Sequence, residues 1–260
     1  MTELAFIVAG FFVGFVVGLT GVGGGSLMTP LLIFFFGIKP QLAVGTDLLF
    51  ASFTKVGGSL ALAKARVIEW RVVAELAAGS VPAALLTLYV LSQFGAGNPV
   101  VQQVITNSLG VALLLTAVAT LYKAVFGKNQ GNQVAPVGAN RSTRPWLTVL
   151  LGAVIGSLVT LTSVGAGAIG VLVLMLLYPS LPLSRIVAAD IAHAVPLTLI
   201  AGLGHASMGS VNWHLLGLLL AGSLPGIWLG SRLMIHTPER WVRSLLSILL
   251  AYAGAKLVAL

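Results

Sequence analysis

Thr20-Gly21-Val22-Gly23-Gly24-Gly25-Ser26 interrupts an apolar run that begins at Leu4, and Thr162-Ser163-Val164-Gly165-Ala166-Gly167 interrupts a second one. Glycines this dense destabilise a helix by up to about 1 kcal/mol each relative to Ala. In lipid, a broken helix is tolerated only where protein buries it or where it lines a cavity. A helix is expected to restart near Ser26, and the second run offers the same restart. The first amides of such a helix lack intrahelical partners, and its N-terminus carries partial positive charge, which favours an anion. Two such ends facing each other at the membrane midplane would build an anion site with no buried full positive charge. The competing reading is close helix packing through small residues. It suits Gly10, Gly14 and Gly18, and Gly222, Gly226 and Gly230, which recur at i, i+4 spacing. For the two breaks the anion site is the expectation. A nucleotide loop fits poorly, because no βαβ unit surrounds these glycines.

Composition places these breaks in a membrane. Of 260 residues, 58% are hydrophobic and 8% are charged, with a mean hydropathy of +1.05. Soluble domains are nearer ~45–50% apolar and ~25% charged. A span takes about 20 apolar residues, so roughly ten would fit here with short loops. Long apolar runs such as Leu4–Leu19 and Leu245–Leu260 argue for helices over the short alternating segments of a β-barrel. The fold class expected is an all-α polytopic membrane protein.

The two halves resemble each other at an offset of about 142–143 residues. Asp47 answers Asp190, Trp70 answers Trp213, and Ala78-Gly79-Ser80-Val81-Pro82 answers Ala221-Gly222-Ser223-Leu224-Pro225. Shared composition explains some apolar matches, but not the Asp, Trp and Gly-Ser-x-Pro agreements together. Residues 1–126 read as a first transmembrane repeat, 127–145 as a cytoplasmic linker and 146–260 as a second repeat. The first half gives segments Leu4–Leu19, Ser26–Phe36, Leu42–Ala63, Val72–Leu91 and Val100–Phe126. The second gives Trp146–Leu161, Ala166–Leu177, Ile186–His205, Trp213–Leu233 and Trp241–Leu260. The first two of each half are short, and are either re-entrant or strongly tilted.

Charge sets the expected orientation. The loop near Trp70 carries Lys64, Arg66 and Arg71 against Glu69, while its partner Ser207–Asn212 has none. Ser92–Pro99 is uncharged, while its partner carries Arg232, Arg240 and Arg243 against Glu239. Equivalent loops therefore have opposite bias, so the positive-inside rule places them on opposite sides. Lys123, Lys128, Arg141 and Arg144 put the central loop in the cytoplasm and both termini in the periplasm. Lys39 and Lys256 run against this count. Inverted repeats of this kind are typical of secondary transporters. The net charge of +8 therefore reports topology. No basic stripe with interleaved aromatics points to nucleic acid.

Charged residues inside apolar segments cost at least ~2.5 kcal/mol at a bilayer centre and need partners or water. Asp47 and Asp190 suit a proton- or cation-coupling role, or serve as helix N-caps near a membrane face. Lys55, two turns beyond Asp47, suits attraction of an anion. His193, three residues past Asp190, is a proton relay or a hydrogen-bonded buried histidine. No further ligands gather near Asp190 and His193, so no metal is expected. His205, His214 and His236 look interfacial, as do Trp70, Trp146, Trp213 and Trp241. The chain has no cysteine, which excludes disulfides and thiolate chemistry. It lacks Gly-x-Gly-Asp around Asp47 and Asp190, Gly-x-Ser-x-Gly and His-Glu-x-x-His, so no enzyme is expected. No cofactor is implied.

The segments Gly18–Leu32 (GLTGVGGGSLMTPLL), Ala43–Lys55 (AVGTDLLFASFTK), Leu161–Gly170 (LTSVGAGAIG) and Ala189–His205 (ADIAHAVPLTLIAGLGH) resemble the sulfite exporter TauE/SafE family of bacterial membrane transporters. The resemblance implies transport of a small sulfur-containing anion, such as sulfite, a sulfonate or sulfoacetate, across the inner membrane. The expected binding residues are Thr20, Gly21, Val22, Gly23, Gly24, Gly25 and Ser26, then Thr162, Ser163, Val164, Gly165, Ala166 and Gly167, with Lys55. Asp47, Asp190 and His193 would take up a proton or cation. The expected partners are the anion and the lipid bilayer, with a homo-oligomer allowed. The alternatives are a passive anion channel and a non-transporting partner subunit.

Overall fold

The computed structural model describes residues 2–20, 25–95, 98–126, 145–233 and 239–259. All the regular structure among them is helical: α1 (Thr2–Thr20), α2 (Gly25–Phe36), α3 (Pro40–Lys64), α4 (Trp70–Phe94), α5 (Pro99–Phe126), α6 (Pro145–Thr162), α7 (Ala168–Leu177), α8 (Leu183–Ser207), α9 (Trp213–Leu233) and α10 (Glu239–Val258). Each expected apolar segment coincides with one helix, to within a few residues at its ends. Proline marks the starts: Pro40, Pro99 and Pro145 open α3, α5 and α6, where a missing N–H removes no helical bond. Gly37, at φ +64°, stops α2 and turns its amide back to Ile33 O at 3.1 Å.

Five helices, α4, α5, α6, α8 and α9, are long and apolar enough to cross a bilayer. Leu85, Leu86 and Tyr89 of α4, Val118 of α5, and Ile248 and Tyr252 of α10 are large apolar side chains left exposed. They form an outer surface suited to lipid. With α2 at 12 residues and α7 at 10, a rise of ~1.5 Å per residue gives about 18 and 15 Å. Neither helix can cross a ~30 Å hydrocarbon core alone.

The two halves pack by the same contacts. Helix α1 lies against α9, and α6 lies against α4. A Cβ on Gly10 or Gly14 would collide with the carbonyls of Leu219 and Ser223. A Cβ on Gly152 or Gly156 would collide with those of Leu76 and Ser80, the repeat-related residues. Both pairs run parallel, with backbones held close because no side chain intervenes. Helices α3 and α8 also pack together, as do α5 and α10. The α3–α8 pair is antiparallel: Gly45 meets His205 and Ser210, Gly202 meets Leu49, and Ser52 Oγ reaches Val195 O at 3.4 Å. The short helices lean on this pair, α2 on α3 and α7 on α8. The core follows, with Val44, Leu48, Ile155, Val159 and Leu197 packed where α3, α6 and α8 meet.

Candidate functional site

Asp47 and Asp190 stand two turns inside α3 and α8, on the pair at the centre of the fold. Both are buried, at 0% and 1% exposure. The alternative that they cap their helices is overturned, because the N-caps are Lys39 and Pro182 and neither makes a side-chain cap bond. The carboxylates instead lie against the short helices. Thr29 of α2 donates its hydroxyl to Asp47 Oδ2. Asp190 Oδ1 lies so close to Gly170 of α7 that a Cβ there would collide with it.

The second glycine run adopts the break expected of it. Ser163, Gly165 and Gly167 take φ of 59°, 125° and 116°, a region glycine enters freely and serine does not. Ser163 N–H still completes a turn of α6 by donating to Val159 O at 2.7 Å. The Thr162 hydroxyl donates to Leu158 O at 2.6 Å and accepts from Val164 N–H at 3.1 Å. Thr162 thus braces the break from within. Helix α7 opens at Ala168 with no side-chain cap on its first amides, and Gly170 N–H turns back to Gly165 O at 3.2 Å. Ser163 Oγ is buried near the Asp47 carboxylate, just outside hydrogen-bond geometry. The second break, α2 and α3 thus converge at Asp47.

In the first half, Gly21–Gly24 lie outside the described residues, as does the side chain of Thr20. The restart is described from Gly25, the first residue of α2, and the buried Ser26 Oγ beside it has no partner.

Lys55 is half-buried on α3 and acts electrostatically on both carboxylates and on His193. Among the described residues its ammonium closes no ion pair within 4.0 Å. His193 is buried, with Nε2 2.7 Å from Ser80 Oγ on α4, while its Nδ1 is unpartnered. One group therefore contains Asp47, Lys55, Asp190, His193 and Ser163. Among the described residues, no three His, Cys, Asp or Glu gather as a metal site.

One interfacial expectation changes. His205 is fully buried on α8 and donates Nε2–H to Thr160 O at 2.9 Å. His214 is exposed beside Glu3 at 3.0 Å, and His236 lies outside the described residues. Trp70, Trp146 and Trp213 stand exposed at helix starts.

Sequence reasoning missed Thr29, Ser80 and the Arg185–Glu69 ion pair at 2.5 Å. A signal existed for Ser80, which sits in the duplicated Gly-Ser-x-Pro, and for Thr29, a lone polar group inside an apolar run.

The sequence profile described as sulfite exporter TauE/SafE matches residues 6–257. The chain belongs to the sulfite exporter TauE/SafE family. It is 38% identical over 259 residues to the probable membrane transporter protein YjnA of Bacillus subtilis strain 168, covering 98% of this chain and 100% of that one. It is 28% identical over 246 residues to the probable membrane transporter protein YunE of the same organism, across 90% and 87% of the two chains. It is also 28% identical over 202 residues to the probable membrane transporter protein MJ0441 of Methanocaldococcus jannaschii, across 76% and 69%. No solved structure matches. With its exposed apolar surface and spanning helices, this family member is a multi-pass membrane protein.

Proposed function

We propose that this chain is a secondary transporter of a small sulfur-containing anion, of the sulfite, sulfonate or sulfoacetate type, working by alternating access. The carrying observation is the break at Ser163–Gly167, which opens α7 uncapped within the group that also contains Lys55. The amides of such a break and the ammonium favour an oxyanion. The names of the relatives support the transport reading. The inverted-repeat reading is supported by the antiparallel packing of α3 and α8, since halves related by an axis along the membrane normal would set these helices parallel. Asp47, Asp190 and His193 take up the proton or cation that drives the cycle. The protein sits in the inner membrane, with the central loop cytoplasmic and both termini periplasmic, as the charge bias supports.

The test is counterflow with purified protein in liposomes, screened with sulfite, sulfate, thiosulfate, taurine, sulfoacetate and acetate. Saturable exchange of one sulfur anion is expected. Lys55→Met should weaken its apparent affinity by about 10- to 100-fold, the worth of a hydrogen bond to a charged group. Conductance without saturation would replace the carrier with a channel. No flux from folded protein with any of these anions would sink the substrate class.

A further inference from the structure

The two repeat-related carboxylates sit in different chemistry. Asp190 lies against the bare backbone of Gly170 on α7. Asp47 meets a hydroxyl, Thr29 Oγ1, on the matching short helix α2. A second hydroxyl, Ser163 Oγ, bears on it from the α6–α7 break. Ser163 Oγ and Asp47 Oδ1 are both buried and lie near each other without reaching hydrogen-bond geometry. Leaving buried polar atoms unpaired is costly, so these oxygens point to a missing occupant. All three groups offer oxygen, the ligand type of hard cations. Lys55 is the charged group that bears directly on Asp47, and it bears on Asp190 as well. With Lys55, Asp47 and Asp190 ionised, the group has one negative charge in excess. One monovalent cation balances it, and a divalent ion would overshoot. His193, the remaining titratable side chain of the group, is engaged with Ser80.

We infer that Asp47 Oδ1, Thr29 Oγ1 and Ser163 Oγ form a binding site for one hard monovalent cation, with sodium as its probe. The three ligands come from α3, from α2 and from the break before α7, so occupancy ties the first half to the second. The ion's coupling role rests on the transport reading; its binding does not. Because Gly170 and Val171 stand where α2 has Met28 and Thr29, α7 carries no hydroxyl at the place of Thr29, and a stoichiometry of one is expected.

The test is binding of radioactive sodium to the purified full-length chain in detergent, followed by sulfite counterflow with and without sodium. Saturable binding of one ion per chain is expected. Thr29→Val and Ser163→Ala should each raise the half-saturating sodium concentration about tenfold or more, and Asp47→Asn should abolish binding. Thr29→Val keeps side-chain volume, so it reads the ligand even where Asp47→Asn fails to fold. No saturable sodium binding by folded protein, or binding unchanged in both hydroxyl variants, would overturn the site. Flux driven by a pH gradient and indifferent to sodium would assign Asp47 a proton instead. Counterflow that persists without sodium binding defeats the ion site alone. Sodium binding without sulfur-anion flux upholds the site and defeats the substrate reading.

Discussion

The halves α1–α5 and α6–α10 pack through matching glycines and differ in their buried polar side chains. Their backbones meet at repeat-related glycines: Gly14 on Ser223 in one pair of helices, Gly156 on Ser80 in the other. Their polar side chains differ. Lys55 has Thr198 as its counterpart, Thr29 has Val171, and His193 has Phe50. Close packing without side chains constrains both copies of a duplicated interface alike. A charge or hydroxyl in the interior is needed only where a ligand or partner uses it, so one copy suffices. The shared glycines and the unshared polar groups should therefore respond differently to mutation.

The largest effects belong to the shared scaffold. Gly14→Leu and Gly156→Leu should each abolish recovery of monodisperse protein by size-exclusion chromatography, since the clash is with backbone. Overpacking that side chains can relieve costs about 1–3 kcal/mol, and here they cannot relieve it. Gly58, where an added Cβ would meet nothing within 4 Å, should accept Ala and gain up to ~1 kcal/mol of helix stability. If only one of Gly14 and Gly156 proved intolerant, the equivalence of the two interfaces would fail.

Next come the two ends where α4 and α9 begin. Glu69 precedes α4, makes no cap bond and pairs with the buried Arg185 of α8. Its counterpart Asn212 caps its own helix, accepting from Leu215 N–H at 3.0 Å, and donates its N–H to Thr46 at 3.1 Å. Glu69→Gln leaves Arg185 with no charged partner and should cost about 3–5 kcal/mol. Asn212→Ala should cost about 1 kcal/mol. Thermal unfolding in detergent ranks the two, and equal losses would make the ends equivalent.

The helices were legible because hydropathy marks where a span lies, and proline and glycine mark where it stops. Hydropathy does not say which face meets which neighbour. Asp47 takes its hydroxyl from Thr29, 18 residues away, and His193 takes its partner from Ser80, 113 residues away. No local period reports such pairs. His205 sits near the end of α8, and its position in sequence suggested an interface. Packing of α8 against α3 and contact with Thr160 bury it instead. Asp47 and Asp190 looked like helix caps because their apolar segments start just before them, whereas Pro40 and Leu183 begin the helices two turns earlier.

The smallest effect isolates the divergence at one matched pair of side chains. Ser80 and Ser223 occupy the same place in the duplicated Gly-Ser-x-Pro, and both are fully buried. Ser80 meets His193 at 2.7 Å, whereas Ser223 donates back to Leu220 O of its own helix at 3.4 Å. Phe50, at the place of His193, offers Ser223 no polar partner. Ser80→Ala strips a buried imidazole of its hydrogen bond and should cost about 1–3 kcal/mol. Ser223→Ala removes a weak intrahelical bond and should stay within about 0.5 kcal/mol of the parent. Nitrogen-15 shifts of His193 should move with the first variant and not with the second. Equal stability losses and an unmoved imidazole would mean that both hydroxyls serve packing alone. The halves would then be alike at this position, and the difference between them would rest on Lys55 and Thr29.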